Sequence, residues 1–284
     1  MAAAGLESGT LNPLHSTFCP GHATFYGRSF GCHKPAGHGY VGLHDAIVNS
    51  CNVFFYNVGK DLGIGRISQY ATMMGLGRKT GIDLPNEDAG IIPSEAWKQR
   101  VYKAKWYDGE TISVAIGQGY VSVTLIQAAW AMGGLAAAGR LMQPHFVNPQ
   151  ELKKMKLPAP EILQEEYPIS QATVNLVSTA MWGVVNEDGT GIRAKIEGFD
   201  VAGKTGTAQV VGKQANLKGE EYEDNAWFVG FAPYRNPEIV VAAFIEHGGH
   251  GGVTAAPVAH AVMEIYYKKK IGQFDAKLNA VAAK

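Results

Sequence analysis

The hydrophobic period of this chain shifts from helical spacing toward two near Val201, and that change limits the folds open to it. Before it, apolar residues recur at helical spacing. Leu43, Ile47 and Val48 share a face, with Asp45 near the positive end of the helix dipole. Asn52-Val-Phe-Phe-Tyr-Asn-Val-Gly predicts a second helix with Asn52 as its cap. Residues 66–75, 125–138 and 169–185 predict further helices, and Gly75 and Gly139 are stops. From Val201 the period moves toward two, and residues 201–211, 226–232 and 239–246 read as three strands. A charged loop at 213–224 and a Pro-flanked turn at 233–237 separate them. An apolar helix at 254–268 follows, closed by three lysines that suit a helix C-terminus. Helices, then a hairpin-connected antiparallel sheet, then a helix over it, make an α+β arrangement.

Composition excludes several classes. The 284 residues are 46% hydrophobic, enough for one large globular domain or two small ones. Lys+Arg and Asp+Glu balance at 25 each, so nothing favours nucleic acid or an anionic membrane surface. No apolar run is long enough to span a bilayer, and no signal peptide is present in the sequence. The opening Met-Ala-Ala-Ala-Gly-Leu-Glu-Ser-Gly reads as the end of a helix closed by Gly9. Residues 144–168 are polar and interrupted by prolines, which predicts an exposed connection.

Residues 11–40 are rich in Gly, His, Pro and Cys and have little periodicity, which predicts a loop held by something other than a core. Cys19, Cys32 and Cys51 are the only cysteines. With one histidine they make a tetrahedral Cys3His set of the kind that holds structural zinc, although their spacing is not a standard short pair. A Cys19–Cys32 disulfide with Cys51 buried, or three free thiols, are the alternatives. His22, His33, His38 and His44 are candidates for the fourth ligand.

Two short motifs carry the chemistry. Lys204-Thr-Gly-Thr207 sets a cation and two hydroxyls on a predicted strand beside a glycine, a surface suited to a substrate carboxylate. Such a tripeptide arises by chance in roughly one chain in ten of this length, so its companions decide its weight. Ser50-Cys51-Asn52 stands at a helix entrance, where alternation turns Ser50 and Asn52 to a cleft and Cys51 to the interior. Alone, Ser50 and Asn52 read as a capping pair and Lys204 as an edge-strand charge. Together they match the needs of acyl transfer from a peptide that ends in a free carboxylate: Ser50 to shuttle a proton, Asn52 to hold the substrate amide, Lys204, Thr205 and Thr207 to bind the carboxylate, and the N–H after Gly206 to help bind an oxyanion. His247 and His250, either side of Gly248-Gly249, read as a Gly turn rather than a metal site. Glu187-Asp188-Gly-Thr190-Gly191 reads as a turn without catalysis, and Trp227 and Phe228 as core.

With these motifs the chain resembles the transpeptidase domain of class B penicillin-binding proteins, most closely the elongation-specific penicillin-binding protein 2 subgroup. The resemblance rests on five ordered segments. They are G-H-G-Y-V-G-L-H-D-A-I-V-N-S-C-N-V-F-F-Y (37–56), I-G-Q-G-Y-V-S-V-T-L-I-Q-A-A (116–129), V-A-G-K-T-G-T-A-Q-V (201–210), D-N-A-W-F-V-G-F-A-P (224–233) and G-G-H-G-G-V-T-A-A-P (248–257). It implies a serine β-lactamase-like fold, with an antiparallel five-stranded sheet flanked by helices and an all-helical subdomain. It implies a single transpeptidase domain over residues 1–270 and a flexible tail over 271–284. The implied reaction is cross-linking of peptidoglycan stem peptides through a serine acyl-enzyme, inhibited by β-lactams, with no catalytic cofactor. The implied site residues are Ser50, Asn52, Lys204, Thr205, Gly206 and Thr207. Structural zinc on Cys19, Cys32, His38 and Cys51 is implied by members with a metal in this segment, His38 fitting best by position. A membrane glycosyltransferase and other wall-elongation proteins are the implied partners, with no nucleic acid. The periplasmic side of the bacterial inner membrane is the implied location.

One family motif is missing from these residues. None of the ten serines has a lysine three positions later, so the S-x-x-K nucleophile and base are not in the sequence. The expectation is a fragment whose Met1 corresponds to an internal position, inactive and poorly stable alone. The competing expectations are a non-catalytic peptidoglycan- or partner-binding pseudoenzyme and a β-lactamase or β-lactam sensor; the cysteine-bearing loop and the 116–129 segment argue against the last.

Overall fold

The computed structural model describes residues 1–157, 164–210 and 219–282, with side chains through residue 272. The chain divides into two compact units, Met1–Ala180 and Met181–Lys284. The end of the predicted first strand and half of the predicted charged loop fall outside the described residues, as does part of the Pro-interrupted connection.

The first unit is built around one long helix. The helix α1 (Ala2–Glu7) leads through strands β1 (Ser16–Cys19), β2 (His22–Phe25), β3 (Arg28–Gly31) and β4 (Gly39–Gly42) to α2 (Leu43–Val48) and α3 (Asn52–Met73). The segment expected to be loop thus contains two antiparallel ladders, β1 with β4 and β2 with β3. Their strands are four residues long, and side chains such as Phe18 and Tyr40 are exposed. Backbone pairing rather than an alternating apolar pattern forms them, so periodicity carried no signal. The helix α2 carries Asp45 in its first turn, as the sequence predicted.

In α3 the two predicted helices join across a kink at Gly63, whose φ of 71° is open to glycine at no steric cost. The helix packs on α1 and on α5 (Asp108–Val114), and Gly59 permits the approach to α5: a Cβ there would stand 2.3 Å from that of Ala115. Val53, Phe54, Val58, Leu62, Ile112 and Val114 are buried there. The short α4 (Glu95–Tyr102) precedes α5 and is capped by Ser94.

Further along lies α6 (Leu125–Ala136), opened by a capping box between Thr124 and Gln127. Gln127 is fully buried, and its amide donates to the carbonyls of Arg78 and Ala89 at 2.6 and 2.8 Å. Trp130, Leu141 and Tyr167 form a second small core, which includes β5 (Arg140–Met142) pairing with β6 (Gln164–Glu166). Between these strands runs α7 (Pro149–Lys154). The unit is therefore not all-helical: it carries three two-stranded ladders beside its helices.

The helix α8 (Gln171–Asn186) leads into the second unit, where β7 (Ala202–Ala208), β8 (Asn225–Ala232) and β9 (Ile239–Ile245) pair antiparallel in that order. Among the described residues this sheet has three strands rather than five. All three coincide with the strands predicted from the period-two pattern. The helix α9 (Ala255–Ala282) covers β8 and β9 through Ala255, Ala256 and Ala259, small residues that allow close approach, and through the larger Met263. It extends well past the predicted 254–268 and takes in residues assigned to a tail. Phe228 and Phe231 fill the core from β8, and Trp227 is half-buried against Phe244 at 4.7 Å.

Candidate active site and metal centre

Ser50 and Asn52 lie in the first unit; Lys204, Thr205, Gly206 and Thr207 lie in the second. The turn that joins α2 to α3 depends on Ser50, which adopts a left-handed φ of 53°. Few non-glycine residues tolerate that conformation, and such strain concentrates at functional positions. Its N–H reaches Ile47 O at 3.2 Å, and that of Cys51 reaches Ala46 O at 2.8 Å. Cys51 is fully buried, while Ser50 and Asn52 are half-buried, the alternation the sequence predicted. One correction concerns Asn52. Cys51 occupies the cap position, and Asn52 is the first helical residue. Its side chain instead donates to Gly31 O at 3.3 Å, the carbonyl that also accepts from Tyr56 Oη at 3.0 Å. Burial pushes the Tyr56 phenol up to about 12.

Behind Ser50 the cysteine set converges. One donor atom from each of Cys19, Cys32, His38 and Cys51 lies within 4.8 Å of all the others. His38 Nδ1 stands 3.6 Å from the Cys19 sulfur and 3.5 Å from that of Cys32. The three cysteines are free thiols and all are buried. The backbone makes this possible at Gly21 and Gly37, both at positive φ, where a Cβ would fall 2.0 Å from Pro35 O and 2.2 Å from Cys19 O. The thiol of Cys51 hydrogen-bonds to Cys32 and pulls Cys32 down to about 4, while the same contact and burial push Cys51 up. Burial holds His38 below the usual imidazole range. His33 is engaged elsewhere, its Nε2 meeting Asn49 O at 2.7 Å. Three thiols and one imidazole are a tetrahedral zinc donor set, and the two His38–sulfur separations fall in the range of about 3.3–3.8 Å that such an ion needs between donor atoms.

In the second unit β7 presents the K-T-G-T segment. Lys204 is opposite Val229 and Thr205 opposite Phe228. The residue Lys204 is half-buried along its length, its Nζ donates to Thr205 O at 3.0 Å, and burial of the ammonium pulls its pKa down to about 8. Two contacts reach the hydroxyls of this strand. Thr190 Oγ1 lies 2.7 Å from Thr205 Oγ1, and the Gly251 N–H donates to Thr207 Oγ1 at 3.4 Å. Gly251 sits so close that a Cβ would stand 2.2 Å from Trp227 O and 2.3 Å from Gly206 O. Thr190 belongs to the turn that the sequence left without a role. His247 and His250 flank a tight turn with Gly249 at a φ of 70°, and the His247 N–H donates to Asn225 Oδ1 at 2.9 Å.

On β7 a partly buried lysine and two hydrogen-bonded threonine hydroxyls make one polar cluster, and the turn of Ser50 and Asn52 is a second. The chain belongs to the penicillin-binding protein transpeptidase domain family, whose model matches residues 1–264. Among its relatives is peptidoglycan D,D-transpeptidase MrdA of Haemophilus influenzae, 35% identical over 97% of this chain and 44% of that protein. The chain thus spans less than half the length of that curated relative. Pseudomonas aeruginosa PBP2, solved in complex with WCK 5153, superposes with a TM-score of 0.82 at 33% identity, over 93% of this chain and 56% of that one. PBP2 of Helicobacter pylori, solved in complex with MreC, gives 0.79 at 28% identity, over 93% of this chain and 48% of that one. Among the described residues no helix is long and apolar enough to cross a membrane.

Proposed function

We propose that this chain supplies the substrate-recognition part of an elongation-type D,D-transpeptidase that cross-links peptidoglycan stem peptides and is acylated by β-lactams. The observation that carries this reading is the K-T-G-T strand, on which the Lys204 Nζ donates to Thr205 O and the Thr205 and Thr207 hydroxyls are met by Thr190 Oγ1 and the Gly251 N–H. In this reading Lys204, Thr205 and Thr207 bind the terminal carboxylate of a D-Ala-D-Ala peptide. Asn52 holds the substrate amide, Ser50 relays a proton toward the leaving amine, and the N–H after Gly206 helps bind the oxyanion. The covalent bond belongs to the serine of an S-x-x-K motif, and because the 284 residues hold none, they do not acylate by themselves. The activity takes place on the periplasmic side of the inner membrane. Its partners are a glycosyltransferase and an MreC-like protein, and the H. pylori PBP2 complex with MreC supports the second of these.

The experiment is labelling with fluorescent penicillin. A longer protein that carries this chain together with an S-x-x-K motif is labelled, the 284-residue chain is not, and Lys204→Ala in the longer protein loses most of the label. Absence of labelling in the longer protein would leave the non-catalytic binding domain as the function.

The second proposal is that Cys19, Cys32, His38 and Cys51 hold one structural zinc ion. The metal would neutralise the converging thiols and fix the 19–51 segment behind Ser50, and it takes no part in the acyl transfer.

A further inference from the structure

We propose that Thr190 is a positioning residue for carboxylate recognition: its hydroxyl donates to Thr205 Oγ1 and leaves the Thr205 proton for the ligand. This rests on the reading of the K-T-G-T strand as the carboxylate site. A hydroxyl has one proton and two lone pairs. In the 2.7 Å Thr190–Thr205 pair one oxygen must donate and the other accept. With Thr205 as donor, it would show only lone pairs to an incoming carboxylate, and the two would repel. With Thr190 as donor, the Thr205 proton is available to the carboxylate, and the bond it makes is strengthened by the one it receives. A bound carboxylate therefore selects the second arrangement.

The position of Thr190 does not depend on this pair. Asn186, the last residue of α8, donates to Trp182 O at 2.8 Å and to Val201 O at 3.0 Å, which ties the helix end to the residue before β7. The Gly191 N–H returns to Val184 O at 3.0 Å. The Thr190 carbonyl abuts Gly252, where a Cβ would come within 2.2 Å of it. The turn is thus fastened by its backbone on both sides, and the hydroxyl is left to act on Thr205. Gly251 does for Thr207 what Thr190 does for Thr205, using a backbone N–H in place of a side chain.

The test is binding of N-acetyl-D-alanyl-D-alanine and of its C-terminal amide to the 284-residue chain, followed by NMR of threonine methyl groups. The wild type is expected to bind the acid more tightly than the amide. Thr190→Val is expected to weaken acid binding roughly fivefold, the worth of one hydrogen bond, and to change amide binding less than twofold. Thr190→Ser restores the acid affinity. Should Thr190→Val fail to fold, Thr190→Ala is read in its place, with Thr190→Ser still the rescue. Unchanged acid binding in a folded variant overturns the inference, and so does equal weakening of acid and amide, which is what a purely structural role would give. A folded wild type that binds neither ligand, or shows no preference for the acid, overturns the carboxylate-site reading itself and this inference with it.

Discussion

His38 Nδ1 lies 3.5 Å from the Cys32 sulfur, although the loop between them makes one turn, closed by the Gly37 N–H on Lys34 O, and contributes little to any core. What brings them together is backbone contact: Cys32 N–H to Gly21 O at 2.7 Å and His38 N–H to Cys19 O at 3.0 Å. Both residues are thus placed by a hydrogen bond from their own main-chain N–H, and their side chains converge as a consequence.

This arrangement makes the metal directly measurable. Purified protein is expected to carry about one zinc per chain by elemental analysis. Cys51→Ser should lose it and lower the melting temperature by roughly 5–10 °C, because residues 20–40 put few apolar side chains into a core. A metal-free wild type with an unchanged melting temperature after chelator treatment would refute the zinc assignment.

The lowered pKa of Lys204 sets a pH dependence. Its folded value is about 8, against 10.5 for the ordinary ammonium. The unfolded chain therefore binds the proton more readily, and this group penalises folding in full below about pH 8. The penalty is relieved as pH rises from about 8 to 10.5. Lys204→Met should raise the melting temperature at pH 7 and flatten its rise across that window, while abolishing carboxylate binding. Melting curves at several pH values check the first, and ligand titration the second. A lower melting temperature at pH 7 for the folded variant would contradict it.

Gly251 tests the support of the K-T-G-T strand. Any side chain there must push against the carbonyls of Trp227 and Gly206. Gly251→Ala is expected to cost about 1–3 kcal/mol, the usual range for overpacking, and to displace the Thr207 contact. Denaturant unfolding measures the cost, which should be absent in Gly109→Ala, where a Cβ has nothing within 4 Å.

Gln127 links α6 to the 78–90 segment. Gln127→Leu keeps the volume but strands the carbonyls of Arg78 and Ala89, and it removes half of the capping box. The expected destabilisation is about 2–4 kcal/mol by chemical denaturation, more than a lone capping loss would give.

Much of this architecture was legible in the residues. The stop at Gly139, the acid at Asp45 and the three strands after Val201 follow from periodicity and local propensity, and the structure places them within a few residues. The ladders within 11–40 were not legible, since their four-residue strands show no alternating apolar pattern and depend on main-chain pairing. Asn52 looked like a cap because asparagine favours that position. Its amide is drawn instead to a carbonyl 21 residues earlier, a contact no local rule predicts. Thr190 stood in a recognisable turn, but only the sheet brings it to Thr205.

The sequence by itself determined the order of helices and strands, the family, and which residue types are available for chemistry, because these follow from period, propensity and motif along a contiguous stretch. Only the tertiary structure decided that four dispersed ligands converge, that Lys204 is sunk enough to lose much of its basicity, and that Thr190 meets Thr205. Each of these is a distance or a desolvation set by long-range packing. Such quantities depend on which distant segments bury one another, and no local window of sequence contains them.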